Sequence, residues 1–440
     1  MRSLSRPSVA PTIEFLGAFD PRRPRMLAAD SMPRTAKPGM GIPGGHRIRC
    51  LRGMAFVKLG FRQRSAQEPR REGGKADFVR WMSCFKDPMG KGKKVEVEKV
   101  RGGEDLWDAA AMAERGSFPE HLVIMVNGLV GSAEDWRFAA EQFVKKLPNK
   151  VIVHRSECNT SRLTFDGVDL MGERLAEEVR SVVKQRGGVR KISFVAHSLG
   201  GLVARYAIGR LYELPPADAK DQFDEEGCLD GRIAGLEPMN FITFASPHLG
   251  SRGHKQIPFL CGLPFLERRA SETAHLIVGR TGKHLFLTDN DDGRPPLLLR
   301  MVDDCDDVKF RSALRSFKRR VAYANANYDH IVGWRTSSIR RQHELPKHHL
   351  LVEDEKYPHI VFADKGNAEI KLNEDVESQK YDLEEEMIRG LTQVPWERVD
   401  VSFQKSRQRY VAHNTIQVKS YWLNSDGADV VFHMIDNFLV

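Results

Sequence analysis

Short apolar runs of strand length recur along the middle of the chain, and segments with helical spacing separate them. The predicted strands are Leu122–Val126, Val151–His154, Ile192–Val195, Asn240–Ala245, Arg320–Asn325 and Arg398–Phe403. Leu122–Val126 is expected to be the first strand, and the charged stretch from Arg340 to Arg389 is expected to be irregular. Strands that alternate with helices favour the α/β class, with a mostly parallel sheet covered by helices on both faces.

Three segments have the pattern expected of helices. From Val168 to Arg186 the apolar residues recur every three or four positions, and Gly187-Gly188 is expected to end this helix. The segment Leu199–Leu211 contains no proline and is expected to continue as a helix directly from a strand. The last segment, Asp426–Val440, is expected to be an amphipathic helix with Asp426 near its start.

One predicted strand turns sharply into a helix at Ser198, within the sequence Ala196-His-Ser-Leu-Gly-Gly. Small residues at Ala196, Gly200 and Gly201 permit a turn that is too tight for larger side chains. Such a turn holds a serine hydroxyl clear of the sheet and directs the first N–H groups of the helix towards the group that the serine attacks. A pattern this short also occurs by chance, but the flanking strand and helix favour a nucleophile elbow with Ser198 as the nucleophile.

The first predicted strand runs directly into the loop Asn127-Gly-Leu-Val-Gly-Ser. In hydrolases with this order of elements, one backbone N–H of such a loop and the N–H of the residue after the nucleophile stabilise the oxyanion. We therefore predict an oxyanion hole formed by Leu129 and Leu199. The alternative for Asn127-Gly128 is an ordinary turn, because Asn-Gly is a common turn dipeptide.

Asp329 and His413 complete a set of residues in the chain order Ser, Asp, His. Asp329 follows the predicted strand Arg320–Asn325, and a carboxylate at a strand end can orient a histidine and stabilise its imidazolium form. His413 is expected in a loop after the last strand, from which its ring can reach the Ser198 hydroxyl. His433 is the alternative base, but it lies inside the predicted final helix.

An insertion between residues 247 and 317 has a looser pattern with apolar clusters at Phe259–Leu266 and Leu285–Leu287. We expect it to form a cap, or lid, that shapes an apolar acyl pocket. The alternative is that these residues pack against the core. The acidic run that begins at Asp289 is expected to be a solvated turn, because an aligned calcium loop would carry Leu299 where glutamate is required.

The net charge of +9 is concentrated near the N-terminus. Residues 1–75 hold 16 Lys and Arg against 5 Asp and Glu, so the rest of the chain, with 52 and 54, has a charge of about −2. We expect residues 1–95 to be a disordered basic tail, with a transit peptide as the alternative, and residues 96–440 to form the catalytic domain. The tail lacks the interleaved aromatic residues of a nucleic-acid-binding module, so no nucleic acid is expected as a partner.

The six cysteines are scattered without paired spacing, and no Cys/His cluster has metal-ligand spacing. We therefore expect no metal, no cofactor and a reducing compartment. The cytoplasm is the expected location, and the chloroplast is the alternative if the tail is a transit peptide. No run of about 18 apolar residues is present, so the pattern predicts no transmembrane helix.

The chain from Pro119 to Val440 resembles the DUF676 family of putative serine esterases, in its plant lipase-like form. The stretches that carry the resemblance are Asn127-Gly-Leu-Val-Gly-Ser, Thr164-Phe-Asp-Gly-Val-Asp, Val195-Ala-His-Ser-Leu-Gly-Gly-Leu-Val-Ala-Arg-Tyr, Phe244-Ala-Ser-Pro-His-Leu-Gly and Tyr323-Ala-Asn-Ala-Asn-Tyr-Asp-His-Ile-Val-Gly-Trp-Arg-Thr-Ser-Ser-Ile-Arg. The resemblance implies an α/β-hydrolase fold and a lipid or carboxyl-ester substrate.

Together these residues predict a serine hydrolase that cleaves lipid or other acyl esters through an acyl-enzyme intermediate. Ser198 is the expected nucleophile, His413 the base and Asp329 the residue that orients it. The alternative is a protein of the same fold that binds a ligand or partner without turnover, and the complete Ser, Asp, His set argues against it. A lipid or acyl-ester substrate is the expected partner, with peripheral membrane contact left open.

Overall fold

The computed structural model describes residues 95–100, 102–214, 231–251, 279–290, 293–366 and 382–440. The predicted basic tail, apart from its last residue, lies outside the described residues. So does the apolar cluster Phe259–Leu266 of the predicted cap.

Eleven strands follow one another along the described part of the chain. They are β1 (Val95–Val100), β2 (Gly103–Asp108), β3 (His121–Val126), β4 (Val151–Ser156), β5 (Lys191–His197), β6 (Tyr212–Glu213), β7 (Arg232–Ile233), β8 (Glu237–Phe244), β9 (Arg319–Asn325), β10 (Ile360–Asp364) and β11 (Glu397–Val401). Nine of them form one sheet in the spatial order β1-β2-β4-β3-β5-β8-β9-β11-β10, and β6 pairs with β7 separately.

The centre of the large sheet is parallel. Strands β4, β3, β5, β8, β9 and β11, in this spatial order, pair in parallel with one another. At one side β2 pairs antiparallel with β4 and β1 with β2, and at the other side β10 pairs antiparallel with β11. The carboxyl ends of the parallel strands meet at one edge of the sheet, so the loops that follow β3, β5, β9 and β11 can converge there.

Helices pack on both faces of this sheet. The helices whose bounds the structure defines are α1 (Ala109–Arg115), α2 (Arg137–Lys146), α3 (Val168–Gln185), α4 (Leu199–Leu211), α5 (Leu297–Arg300), α6 (Phe310–Arg315), α7 (Trp334–Ser338), α8 (Leu383–Leu391), α9 (Ala412–Thr415), α10 (Tyr421–Asn424) and α11 (Ala428–Asp436). In the ranges described, every helix is too short or too polar to cross a membrane.

Each face of the sheet has its own hydrophobic core. In β3, Leu122 and Ile124 pack in one core with α3 and α4, whereas Val123 and Met125 pack in the other with α2 and α11. Side chains alternate between the two faces of a strand, so a strand covered on both faces needs an unbroken apolar run. The predicted α/β class and the mostly parallel, doubly covered sheet are confirmed.

All six predicted strands are present, with ends shifted by a few residues. The prediction that Leu122–Val126 comes first is wrong, because the antiparallel hairpin of β1 and β2 precedes it. This hairpin has no apolar run, since β1 alternates valine with charged residues and β2 is rich in acidic ones. The stretch Arg340–Arg389 is also less irregular than predicted, because it contains β10 and most of α8.

The described parts of the insertion pack against the core. Leu287, Leu297 and Phe317 belong to the same hydrophobic core as α3 and α4. The prediction of a solvated turn is wrong for Asp289, which is buried and accepts a hydrogen bond of 2.7 Å from the N–H of Leu297. This carboxylate satisfies a free amide at the start of α5, a use of an acidic residue that depends on tertiary contact.

The final helix is shorter than predicted. It covers Ala428–Asp436, and Asp426 lies in the preceding 3-10 turn, Ser425–Gly427. There Asp426 accepts a hydrogen bond from the Ser406 hydroxyl at 2.5 Å. Asp426 therefore ties the C-terminal region to the loop after β11 and does not cap the helix.

Candidate active site

Ser198 lies at the turn between β5 and α4. Its backbone has φ 53° and ψ −127°, a conformation that residues other than glycine rarely adopt. The turn is held from both sides, since the Ser198 N–H donates to the carbonyl of Phe244 at 2.8 Å and the Gly201 N–H donates to the carbonyl of Ser198 at 3.1 Å. Ala196, two residues earlier, is fully buried in the core. The sharp turn from strand to helix is as the sequence predicts, and its backbone is strained.

The glycines of this turn allow α4 to approach the strand ends. A Cβ atom on Gly200 would lie 2.5 Å from the carbonyl oxygen of Asn127 and 2.7 Å from that of Val126. One on Gly201 would lie 2.7 Å from the Cβ of Ser246. Because real Cβ atoms do not approach so closely, larger residues would force α4 away from β3 and β8.

The structure brings the three predicted residues Ser198, His413 and Asp329 together. His413 Nε2 lies 3.0 Å from Ser198 Oγ, and His413 Nδ1 lies 3.0 Å from Asp329 Oδ2. The side chains of His413 and Asp329 are only 9% and 2% exposed. A proton on Nδ1 that is donated to the carboxylate leaves Nε2 free to accept the serine proton.

Asp329 is fixed in a negatively charged form. Burial raises the pKa of this carboxyl, but the charge and hydrogen bond of His413 and further hydrogen bonds outweigh it and hold the pKa below its usual range. Asn325 donates to Oδ2 at 2.8 Å, while the N–H groups of Ile331 and Val332 donate to Oδ1 at 3.0 and 2.9 Å. The carboxylate is thereby oriented towards His413.

His413 does not lie in a loop, as the sequence predicts, but within the short helix α9. Its backbone carbonyl accepts a hydrogen bond of 2.7 Å from Nε2 of His197, a buried residue of the elbow strand. Burial first, and the neighbouring charge of His413 second, hold the pKa of His197 well below its ordinary value. His197 is not among the site residues predicted from the sequence, although a polar residue at the end of an apolar strand, beside the nucleophile, is the signal that points to it.

His433, the alternative base, lies in α11 and packs against the sheet. Its Nδ1 is 2.9 Å from the hydroxyl of Tyr323, and burial lowers its pKa. Because both histidines lie in helices, the expected contrast between a loop and a helix does not separate them. Their positions do, since it is His413 that is within hydrogen-bond distance of Ser198.

The loop after β3 contacts Ser198. A Cβ atom on Gly128 would lie 2.9 Å from the Cβ of Ser198, so this loop passes directly over the elbow. Leu129 is the next residue, and Leu199 is the first residue of α4, where helix N–H groups have no partner within the helix. The assignment of these two N–H groups to an oxyanion hole stays a prediction.

Side chains hold this loop in place. The Asn127 amide donates to the carbonyl of Asn159 at 2.9 Å, and the N–H of Val130 donates to Thr164 Oγ1 at 3.0 Å. Neither Asn159 nor Thr164 is predicted from the sequence to support the site, because each contacts the loop only through the tertiary fold. Val130 has φ 54°, which shows that the loop is tightly turned.

Known proteins resemble this chain in sequence and in fold. The family model described as "Putative serine esterase (DUF676)" matches residues 117–339. "Putative lipase ROG1" of Saccharomyces cerevisiae is 32% identical over 239 residues, which are 53% of this chain and 31% of that protein. "Putative lipase C4A8.10" of Schizosaccharomyces pombe is 28% identical over 246 residues, which are 54% of this chain and 28% of that protein.

The chain therefore spans about a third of the length of these curated relatives. Among solved structures, carboxyl esterase 2 from the mycorrhizal fungus Tuber melanosporum superposes with a TM-score of 0.37 and 11% sequence identity. The superposition covers 78% of this chain and 89% of the esterase.

Proposed function

This chain belongs to the family of putative serine esterases (DUF676), and we propose from this premise that it hydrolyses lipid or other carboxyl esters with Ser198, His413 and Asp329. The observation that carries the proposal is the continuous path of two 3.0 Å hydrogen bonds from Ser198 through His413 to Asp329. A nucleophile, a base and a residue that orients the base are the groups that acyl transfer requires.

In the first half of the proposed reaction, Ser198 Oγ attacks the ester carbonyl carbon while its proton moves to His413 Nε2. The carbonyl oxygen becomes an oxyanion, which the N–H groups of Leu129 and Leu199 stabilise. Asp329 stabilises the imidazolium form of His413. The bond to the leaving alcohol then breaks, the alcohol oxygen takes the proton from His413, and an acyl-enzyme forms on Ser198.

In the second half, water replaces the alcohol. His413 Nε2 takes a proton from the water while the water oxygen attacks the acyl carbon. The N–H groups of Leu129 and Leu199 stabilise the second oxyanion. The bond to Ser198 Oγ breaks, and His413 returns the proton to this oxygen. The products are a carboxylic acid and the free enzyme.

The proposal is tested by the Ser198→Ala substitution. It is expected to abolish labelling by a fluorophosphonate probe and to lower turnover of a soluble ester by roughly 10⁴-fold or more, because no other group replaces the nucleophile. Ser246→Ala is the matched control, since this serine is also buried and lies against the elbow. A Ser198→Ala enzyme that retains a tenth of the activity would contradict the assignment of the nucleophile.

The base is tested in the same assay by a pair of histidine variants. His413→Ala is expected to lose about as much turnover as Ser198→Ala, because the serine proton then has no acceptor. His433→Ala is the control and is expected to retain activity, since its ring bonds to Tyr323. The opposite result would assign the base to α11.

A further inference from the structure

The segment that carries His413 also carries a group of exposed apolar side chains. Five of the 14 exposed large hydrophobic residues in the described ranges lie between residues 403 and 425. They are Tyr410, Val411, Tyr421, Trp422 and Leu423, which we call the outer apolar surface. Trp422 is 88% exposed, although tryptophan side chains are normally largely buried in a folded protein. Such exposure marks an interaction site.

The fold holds this surface outward. Trp422 lies in α10, a helix of four residues. On one side the Tyr421 ring stacks on Phe138 with centroids 5.0 Å apart, and on the other the Asn424 amide donates to Thr415 Oγ1 at 3.0 Å. Because Tyr421 and Asn424 fix the two ends of α10, this helix cannot rotate to turn Trp422 inward without breaking these contacts.

The same segment is basic. Between residues 403 and 425 the chain has four Lys and Arg and no Asp or Glu. Within the described part of the chain, Arg407 and Arg409 have no carboxylate at ion-pair distance, whereas Lys405 and Lys419 pair with Glu353 and Asp135. Arg409 lies over the ring of Tyr410 at 4.8 Å and over that of Tyr328 at 5.7 Å. Exposed aromatic rings beside unpaired cations are suited to the headgroup region of an anionic bilayer.

This surface borders the catalytic residues. Tyr410 and Val411 immediately precede α9, which contains His413. The Tyr410 ring packs edge-on against Tyr328, the residue before Asp329, with centroids 5.8 Å apart. We propose that the outer apolar surface docks on anionic lipid bilayers, so that the enzyme takes its ester substrates from a membrane. This inference rests on the proposed function, because it adds the place from which that site draws its substrate.

The charge of this segment favours an anionic bilayer over two other candidate partners of the outer apolar surface. The N-terminal segment of this chain is itself basic, with 16 Lys and Arg against 5 Asp and Glu in residues 1–75. Its charge therefore does not complement that of Arg407 and Arg409. A second copy that bound symmetrically would bring the same basic segment against itself. An anionic lipid surface complements both the apolar and the cationic groups.

The test is co-sedimentation of the full-length protein with lipid vesicles. It is made with the Ser198→Ala variant, so that binding is measured without turnover and separately from the proposed activity. We expect binding to vesicles of phosphatidylcholine with phosphatidylserine, and weaker binding to phosphatidylcholine alone. The added pair Trp422→Ser and Leu423→Ser should weaken partitioning about tenfold or more, because two apolar side chains no longer enter the lipid. Arg407→Gln with Arg409→Gln should weaken it about tenfold at low salt and less at high salt.

Two controls make the result specific. Val97→Ser with Leu214→Ser removes comparably exposed aliphatic side chains outside the surface and should leave vesicle binding unchanged. With Ser198 restored, the enzyme that carries Trp422→Ser and Leu423→Ser should hydrolyse a soluble ester at the normal rate. This result would show that the double variant is folded. If Trp422→Ser with Leu423→Ser left vesicle binding unchanged, the proposal would be overturned. Absence of binding to both kinds of vesicle would also overturn it and would point to a protein partner.

Discussion

His197 connects β5, the strand that leads to Ser198, to His413. Its ring centroid lies 4.7 Å from that of His413, and its Nε2 donates to the His413 carbonyl at 2.7 Å. Burial, and then the charge of His413, keep its pKa well below the ordinary value, so His197 stays neutral in the proposed reaction, in which His413 takes a proton. A neutral ring places no second positive charge beside the imidazolium. We therefore assign His197 as a positioning residue for His413.

Replacing His197 tests this role. His197→Phe removes the donor and leaves a buried carbonyl unpaired, so kcat should fall about 10- to 100-fold while KM changes little. His197→Gln keeps an N–H donor and should recover most of the loss. Steady-state kinetics on a soluble ester distinguish the two variants, with thermal melting as a check of the fold. Equal losses of kcat in both variants would show that the ring shape matters and the hydrogen bond does not.

At the scale of elements, α4 is the part that positions the site. It begins at the residue after Ser198 and packs against the ends of β3 and β8 through its glycines. Gly200 faces backbone atoms of Val126 and Asn127, which cannot move aside without shifting the loop that follows β3. Gly209, in the same helix, faces the side chains of Phe310 and Val308.

This difference predicts that alanine at Gly200 and alanine at Gly209 affect stability alike but turnover differently. Gly200→Ala and Gly209→Ala should each lower the free energy of unfolding by about 1 to 3 kcal/mol through overpacking. Only Gly200→Ala should also lower turnover, by about a hundredfold, because it separates the loop containing Leu129 from the elbow. Chemical denaturation and kinetics of both variants measure this. If Gly209→Ala lost as much turnover, loss of stability alone would explain both.

At the scale of the whole molecule, a buried ionic cluster joins the N-terminal hairpin to the parallel sheet. His154 of β4 lies 2.6 Å from Asp105 of β2 and 3.3 Å from Glu178 of α3. Arg186 also pairs with Asp105 at 2.6 Å. Burial alone would lower the pKa of His154, but its hydrogen bond to Asp105 and the neighbouring carboxylate of Glu178 raise it to about 9. Across the described ranges, no group of three or more His, Cys, Asp and Glu side chains is arranged to hold a metal ion.

This cluster makes stability depend on pH. The folded pKa of His154 exceeds the unfolded value of 6.5, so its contribution is complete below pH 6.5 and is lost as the pH rises through 9. The difference in unfolding free energy between the wild type and His154→Gln should therefore shrink by about 2 to 3 kcal/mol from pH 7 to pH 10. Denaturant titrations across this range measure it.

His121→Gln is the control for this prediction. Burial, and then the charge of Lys191, lower the pKa of His121 to about 3, so His121 stays neutral throughout this range. Its substitution should change stability by the same amount at each pH. A constant difference for His154→Gln as well would show that folded His154 does not change from imidazolium to neutral imidazole between pH 7 and pH 10.

The sequence by itself determined the parallel sheet, the sharp turn at Ser198 and the three residues whose side chains meet there. These features have local signals, because a strand covered on both faces is apolar throughout and a tight turn requires small residues such as Gly200. Chain order and position after a predicted strand selected Asp329 and His413, since the carboxyl ends of those strands share one edge of the sheet. Chain order does not separate His413 from His433, which only the distance to Ser198 does.

Only the tertiary structure decided the rest. The hairpin of β1 and β2 is stabilised by pairing with distant β4, the buried position of Asp289 by α5, and the role of His197 by a hydrogen bond to a residue 216 positions away. The same holds for the placement of His413 in a short helix and for the outward orientation of Trp422. In each case the position follows from contacts between residues that the chain order does not bring together.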